Sequence, residues 1–243
     1  SIVGPRVVLG DRSWVGPHVV IEGATSLGQD NRIFQFASVG SRPQDLKFSG
    51  EPSTVEIGAH NTIREYVTIQ PGTEGGGMKT TVGDANLFMA SAHVAHDCIV
   101  GSNNIFANSV ALAGHVDVGN WVVVGGMVGV HQFSSIGDYS LIGAGSMVNQ
   151  DIPPYCIGQG DRCRLRGVNA IGLKRAGFST EDIADIKKAY SLLFSTSGQM
   201  KAKLDFLGEE LHANPVVMKL ITFIRESKRG TALPAKDLLT EQA

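Results

Sequence analysis

Twenty-two apolar residues recur six positions apart along the first 148 residues, and this spacing constrains the fold more tightly than any other property of the chain. They run through Val3, Leu9, Val15, Ile21, Leu27, Ile33 and Val39, resume at Ile57, Ile63 and Ile69, and continue without a miss from Val82 through Phe88, Val94, Val100, Phe106, Leu112, Val118, Val124, Val130, Ile136 and Ile142 to Val148. A period of six is neither the helical 3.6 nor the simple strand alternation of 2. It marks a hexapeptide solenoid of short strands joined by corners. Three hexads per coil give about seven coils, and strands stacked ~4.8 Å apart make a prism roughly 35 Å long with the hexad residues inside. The next residue is usually glycine or alanine, as at Gly83, Ala95, Gly101, Ala107 and Gly119. This predicts that the chain turns its tight corners there, where a larger side chain would clash.

The repeat is interrupted twice. Residues 41–54 carry loop punctuation and no hexad, and residues 70–80, containing Gly75-Gly76-Gly77, shift the phase between Ile69 and Val82. Loops that leave a regular scaffold commonly hold binding residues. The glycine run lacks the lysine and following helix of a phosphate-binding loop, so it reads as flexibility. At Asp151-Ile152-Pro153-Pro154-Tyr155 the prolines remove ladder donors and the repeat stops. Ser179 and Asp182 then form a capping box ahead of an apolar stripe, Leu204, Leu207 and Leu211 suggest a further helix, and Asn214-Pro215 opens another. The expected architecture is mainly β: a solenoid over 1–154, preceded by further coils absent from this sequence, then a small α-helical domain over 155–243.

Composition excludes several classes. The 30 glycines among 243 residues, about 12%, exceed the usual ~7% but lack the every-third period of collagen. Three cysteines, Cys98, Cys156 and Cys163, form no CxxC pair and no even framework, which favours a reducing cytoplasm. No apolar run reaches the ~18 residues of a membrane span, and a net charge of -2 argues against nucleic acid as partner.

Two clusters carry chemistry. His93, His96, His115 and His131 fall within thirty-nine residues, and Asp97 follows His96. A histidine acting as general base needs an orienting group, and an adjacent carboxylate can supply it. Surface imidazoles at corners are the bland alternative. A zinc site of the kind held by gamma-class carbonic anhydrases is another, and it requires His93, His96 and His115 to converge. The second cluster, Arg162, Arg164, Arg166, Lys174 and Arg175, places five cations in fourteen residues without an acid. It reads either as a solvated helical face or as a docking surface for an anionic partner or a diphosphate.

Taken together, the motifs Gln44-Asp45-Leu46-Lys47, Gly50-Glu51-Pro52, Ala92-His93-Val94-Ala95-His96-Asp97-Cys98, Leu112-Ala113-Gly114-His115-Val116, Val130-His131-Gln132-Phe133, Asp151-Ile152-Pro153-Pro154-Tyr155 and Gly172-Leu173-Lys174-Arg175-Ala176-Gly177-Phe178 resemble the bacterial UDP-N-acetylglucosamine O-acyltransferases, which open lipid A synthesis. The resemblance implies a left-handed parallel β-helix, a homotrimer with active sites between prisms, and a helical C-terminal domain. It implies no cofactor or metal, and as substrates a 3-hydroxyacyl acyl carrier protein and a UDP-sugar. It makes His96 the base, Asp97 its orienting carboxylate and Gly114 the oxyanion donor. Asp45, Lys47, His93, His115, His131 and Gln132 fall near the sugar nucleotide, and Asn169 and Arg175 near the uridine and phosphates. Arg162, Arg164, Arg166 and Lys174 are expected to dock the carrier protein. Ala144 matches the end of the acyl groove, with Leu141 and Met147 as further boundaries, and its methyl favours a shorter chain than a glycine would. The chain departs from the family at Gln70-Pro71, where His-Arg is usual, at Ala176 in place of a second arginine, and at Ile171 in place of an acid. Gln70 raises the alternative of a 3-amino sugar as acceptor.

Overall fold

The hexad residues end the first twenty-two strands of the protein, whose computed structural model describes residues 1–195, 197–211 and 214–235. One sheet stacks β1 (Ile2–Val3), β4 (Val20–Ile21), β7 (Ser38–Val39), β10 (Thr68–Ile69), β13 (His93–Val94), β16 (Ala111–Leu112), β19 (Gly129–Val130) and β22 (Met147–Val148). A second runs from β2 (Val8–Leu9) to β20 (Ser135–Ile136), and a third from β3 (Trp14–Val15) to β21 (Leu141–Ile142). All pair in parallel, and outside the two interruptions the residues in register are eighteen apart, as Val94↔Leu112 and Leu112↔Val130 show. These are the three faces of a left-handed parallel β-helix. Val39 pairs with Ile69 and Ile69 with Val94, so both interruptions loop out without disturbing the stack. The hexad residues from Ile21 onward fill the interior, while Val3 and Leu9 of the first coil are exposed; Phe88 and Phe106 stack inside with ring centroids 4.9 Å apart.

The corners are built differently from expectation. The left-handed backbone falls three residues after the hexad position, on side-chain-bearing residues such as His60, Ser91, Asp97, Ser109, His115, Trp121 and Phe133, with φ between 59° and 64°. The glycine directly after the hexad answers to stacking: a Cβ on Gly101 would lie 2.5 Å from the carbonyl oxygen of Gly119 in the next coil, and one on Gly10 would lie 2.3 Å from the carbonyl carbon of Gly28. A second device was invisible in the hexad pattern. Asn31, Asn61, Asn86 and Asn104 are buried one above another, and each Oδ1 accepts the backbone N–H of the next member, ending at Val122 N–H. Buried backbone donors turned inward at a corner are thereby satisfied.

The sheet does not stop at residue 154. A hairpin of β23 (Cys156–Gln159), parallel to β21, and antiparallel β24 (Arg164–Val168) extends the third face, so helices begin only at α1 (Ala170–Arg175). Next come α2 (Thr180–Ser195), capped by Ser179 Oγ accepting from Asp182 N–H, then α3 (Met200–Glu210), and α4 (Pro215–Glu226), capped by Asn214. Residues 236–243 of the expected helical unit lie outside the described residues. No described helix is long and apolar enough to cross a membrane. The three cysteines are free and buried, and burial pushes the Cys98 thiol up to about 12.

Candidate active site

The corner after β13 brings the strongest chemistry together. His96 follows Val94-Ala95 at the end of the strand, and Asp97 occupies the left-handed corner position with φ 59°. His96 Nδ1 donates to Asp97 Oδ2 at 2.8 Å. A carboxylate can only accept, so the proton sits on Nδ1 and Nε2 is left with a lone pair for a substrate. The Asp97 side chain has no exposure to solvent. Its burial is offset by Thr73, whose N–H lies 2.9 and 3.0 Å from the two carboxylate oxygens and whose Oγ1 donates to Oδ2 at 2.7 Å. Asp97 N–H donates in turn to Thr80 Oγ1.

No sequence signal marks Thr73 and Thr80, and the glycines beside them do more than lend flexibility. A Cβ on Gly76 would lie 2.1 Å from Asp97 Cγ, and one on Gly72 would lie 2.6 Å from Asp97 Oδ1. Gly72 and Gly76 are needed because the loop backbone packs directly on the buried carboxylate there, while Gly77 takes the left-handed φ of 92° and a Cβ on Gly75 would meet nothing. A run of glycines beside a catalytic motif can signal close approach as readily as flexibility.

One coil on, Gly114 faces His96: a Cβ there would be 2.4 Å from His96 Cε1 and 2.6 Å from Nε2. The flanking N–H groups are used, Ala113 N–H by Val130 O and His115 N–H by His96 O, while that of Gly114 bonds to neither coil. His115 takes the corner position above Asp97, its ring edge-on to His96 with centroids 5.1 Å apart and stacked on Phe133 at 4.4 Å. Its Nε2 is 4.0 Å from Asp97 Oδ2. His93 points from β13 with Nδ1 2.6 Å from Thr68 Oγ1. Burial, and secondarily the charge of His96, hold its pKa below the ordinary imidazole value.

His93, His96 and Gly114 line a cleft of about 540 Å³ with Gln44, Gln70, Ala111, Gly129, His131, Met147 and Asn149, and His115 does not reach into it. Gln70 is buried, and its Oε1 accepts Gln44 N–H at 3.0 Å, so the carbonyl that a 3-amino acceptor would call on already holds the first loop. Asp45 turns that loop by accepting Lys47 N–H, but neither Asp45 nor Lys47 lines the cleft. A second groove of about 1210 Å³ lies behind Asp97 and His115, between the prism and α4.

Of the remaining candidates, only His131 and Met147 line the cleft. His131 Nδ1 faces the carbonyl of Gln132 at 3.0 Å, and the Gln132 side chain does not line the cleft. Asn169 caps α1 by accepting Gly172 N–H and donates to Tyr139 O, and Arg175 closes that helix. Arg164 and Arg166 lie on one exposed face of β24, with Leu165 buried between them; they form a strand edge, not a helical face. Arg162 precedes it and Lys174 lies on α1, both exposed. Of the acyl-length candidates, Met147 lines the cleft. Leu141 is on the third face, and Ala144 is exposed at the corner before β22.

The convergence needed for a three-histidine zinc site is not present, because His93 stands outside the compact group of ligand-type atoms. The compact group is His96, Asp97 and His115, whose ligand-type atoms lie within 4.8 Å of one another. Asp97 Oδ2 already accepts from His96 and Thr73, which leaves it poorly disposed to a metal.

Comparison with known proteins agrees with this geometry. Residues 151–232 match the family model described as domain 2 of UDP N-acetylglucosamine O-acyltransferase. The chain is 46% identical over 235 residues, 94% of its length and 91% of its relative's, to the acyl-[acyl-carrier-protein]--UDP-N-acetylglucosamine O-acyltransferase of Thermodesulfovibrio yellowstonii. Its structure superposes on LpxA of Acinetobacter baumannii with a TM-score of 0.90 at 39% identity, covering 95% of this chain and 97% of that one. The UDP-N-acetylglucosamine acyltransferase of Francisella novicida gives 0.88 at 34%, covering 98% and 89%. None of these relatives supports the amine-acceptor or zinc-hydratase alternatives. With this identity along nearly its whole length, the chain belongs to the UDP-N-acetylglucosamine O-acyltransferase family.

Proposed function

We propose that the protein transfers a 3-hydroxyacyl group from acyl carrier protein to the 3-hydroxyl of UDP-N-acetylglucosamine. The observation that carries this reading is the buried Asp97, locked by Thr73, holding the His96 imidazole with Nε2 free beside the Gly114 N–H. His96 Nε2 takes the proton of the sugar hydroxyl as that oxygen attacks the thioester carbonyl. The Gly114 N–H meets the negative oxygen of the tetrahedral intermediate. The intermediate collapses with cleavage of the carbon–sulfur bond, and His96 returns the proton to the departing thiolate. A positioned base is typically worth ~10²–10⁴ in rate, and one oxyanion donor ~10²–10³.

The acyl chain is assigned to the outer face of the first sheet. There His93, Ala111, Gly129 and Met147 stand in register on successive coils. Ala111 and Gly129 leave a shallow floor, and Met147, whose sulfur would lie 2.9 Å from a Cβ on Gly129, closes it. That is three strand spacings from His93, roughly 14 Å. Ala144 belongs to this reading as a boundary at the neighbouring corner.

A homotrimer completes the site in this proposal. Asn169 and Arg175 do not line the cleft of their own prism, so uridine and diphosphate contacts come from an adjacent copy. Leu46, fully exposed between Asp45 and Lys47, is the kind of apolar tip that a neighbour would cover. The exposed Arg162, Arg164 and Lys174 meet the acidic carrier protein, and buried free thiols suit a cytoplasmic setting. The purified enzyme, given 3-hydroxyacyl carrier protein and UDP-N-acetylglucosamine, should form a sugar ester cleaved by mild base. An amide product, or no product, would refute the assignment.

A further inference from the structure

We infer that Arg229 is a positioning residue that fixes the ring of His131 as a hydrogen-bond acceptor for the sugar nucleotide; the inference rests on the function proposed above.

Arg229 lies beyond α4, yet it reaches the prism. Its Nη1 donates to the carbonyl of Gln132 at 3.1 Å and its Nε to the carbonyl of Asn149 at 3.2 Å. The segment that carries it is stitched to the same end of the prism. Asp151, buried, accepts Ser227 Oγ on one oxygen and Ser135 N–H on the other, while its backbone bonds to Gly230 and Ala232. Arg229 is therefore held at a set height against the corner that follows β19.

The Gln132 carbonyl has a second neighbour, His131 Nδ1, at 3.0 Å. A carbonyl oxygen has two lone pairs and no proton. It can satisfy both groups only if Nδ1 carries a hydrogen; a bare Nδ1 would set lone pair against lone pair. Arg229 takes one lone pair, holds the carbonyl in place and polarises it, which strengthens the bond that His131 makes to the other. With Nδ1 protonated, the neutral ring has its acceptor at Nε2. His131 lines the catalytic cleft, as does Asn149, whose carbonyl Arg229 also holds. The ring is thus set to read a donor on the acceptor substrate, a sugar hydroxyl or the N–H of its acetamido group. Both Nη1 and Nε engage carbonyls at fixed directions, a geometry that the fork of arginine supplies and a point-charge ammonium supplies only in part.

The test combines a tautomer measurement with binding. Nitrogen-15 spectra of His131 in the free enzyme, recorded at alkaline pH where the ring is neutral, should show Nδ1–H in the wild type and a mixture of tautomers in Arg229→Ala. Arg229→Ala should raise KM and Kd for UDP-N-acetylglucosamine roughly tenfold, the scale of one weakened hydrogen bond and its orientation, with kcat within about twofold on the same scale. Arg229→Lys should recover part of both. A wild-type ring protonated at Nε2 would overturn the inference whatever the variants do, and so would unchanged tautomer and KM in Arg229→Ala. Wild-type enzyme that shows the expected tautomer but neither binds nor acylates the nucleotide would overturn the proposed function instead.

Discussion

Asp97 shows how a side chain that is costly to bury becomes tolerable. Its oxygens meet the Thr73 N–H, the Thr73 hydroxyl and the His96 ring, and the glycines at 72 and 76 let the loop close over it. Gly76→Ala should push that loop off the carboxylate and lower kcat on the order of 10²-fold, the usual penalty for an ångström of misplacement, which steady-state kinetics will show. His93 makes a different prediction. Burial lowers its pKa in the fold, so the folded protein binds fewer protons than the unfolded chain just below the ordinary histidine value of ~6.5. Stability should therefore fall as pH drops from there toward the lower folded pKa, where the folded ring also protonates. In His93→Gln the acid limb of the Tm profile should be shallower; an identical limb would show that His93 is not its source. The His96–Asp97 pair was legible from adjacency, whereas its partners were not. Thr73 and Thr80 lie twenty-four and seventeen residues away, and only coil stacking brings them to the carboxylate.

Strands and corners were legible because the hexad is a strict period, and each hexad residue ends a strand. The corner chemistry was not, because two different requirements share each hexad. The glycine after the hexad is set by the next coil, and the left-handed position two residues later accepts ordinary side chains once stacking holds them. The asparagine ladder escaped notice for a related reason: it occupies one corner in three and recurs at eighteen, or more across the loops. Asn86 donates to Asn61 Oδ1 and Gly101 O and accepts Asn104 N–H. Asn86→Ala strands these buried partners and should cost about 3 kcal/mol, measurable by chemical denaturation. A loss below ~0.5 kcal/mol, the level of a neutral surface change, would mean that the ladder is incidental. At β24 the error was one of period: Arg162, Arg164 and Arg166 alternate at two, a strand signal read as a charged helical face.

At the scale of the molecule, a rigid prism fixes the cleft while the hairpin and helices attach at one end, reaching the site through contacts such as Arg229 with Gln132. The β-helix and its family followed from the hexad and the ordered motifs. Where Asn169 and Arg175 sit could not be read from the hexad pattern, because they lie past the repeat and away from the cleft of their own chain. The account turns on one claim: His96, oriented by Asp97, moves the proton in acyl transfer. Single-turnover transfer from 3-hydroxyacyl carrier protein to UDP-N-acetylglucosamine tests it most directly, comparing wild type, Asp97→Asn and His96→Ala, each verified by circular dichroism and gel filtration to keep the wild-type fold and assembly. The account predicts a chemical step slowed ~10²–10⁴-fold without His96 and a smaller loss in Asp97→Asn. A correctly assembled His96→Ala enzyme that transfers the acyl group at close to the wild-type rate would contradict it.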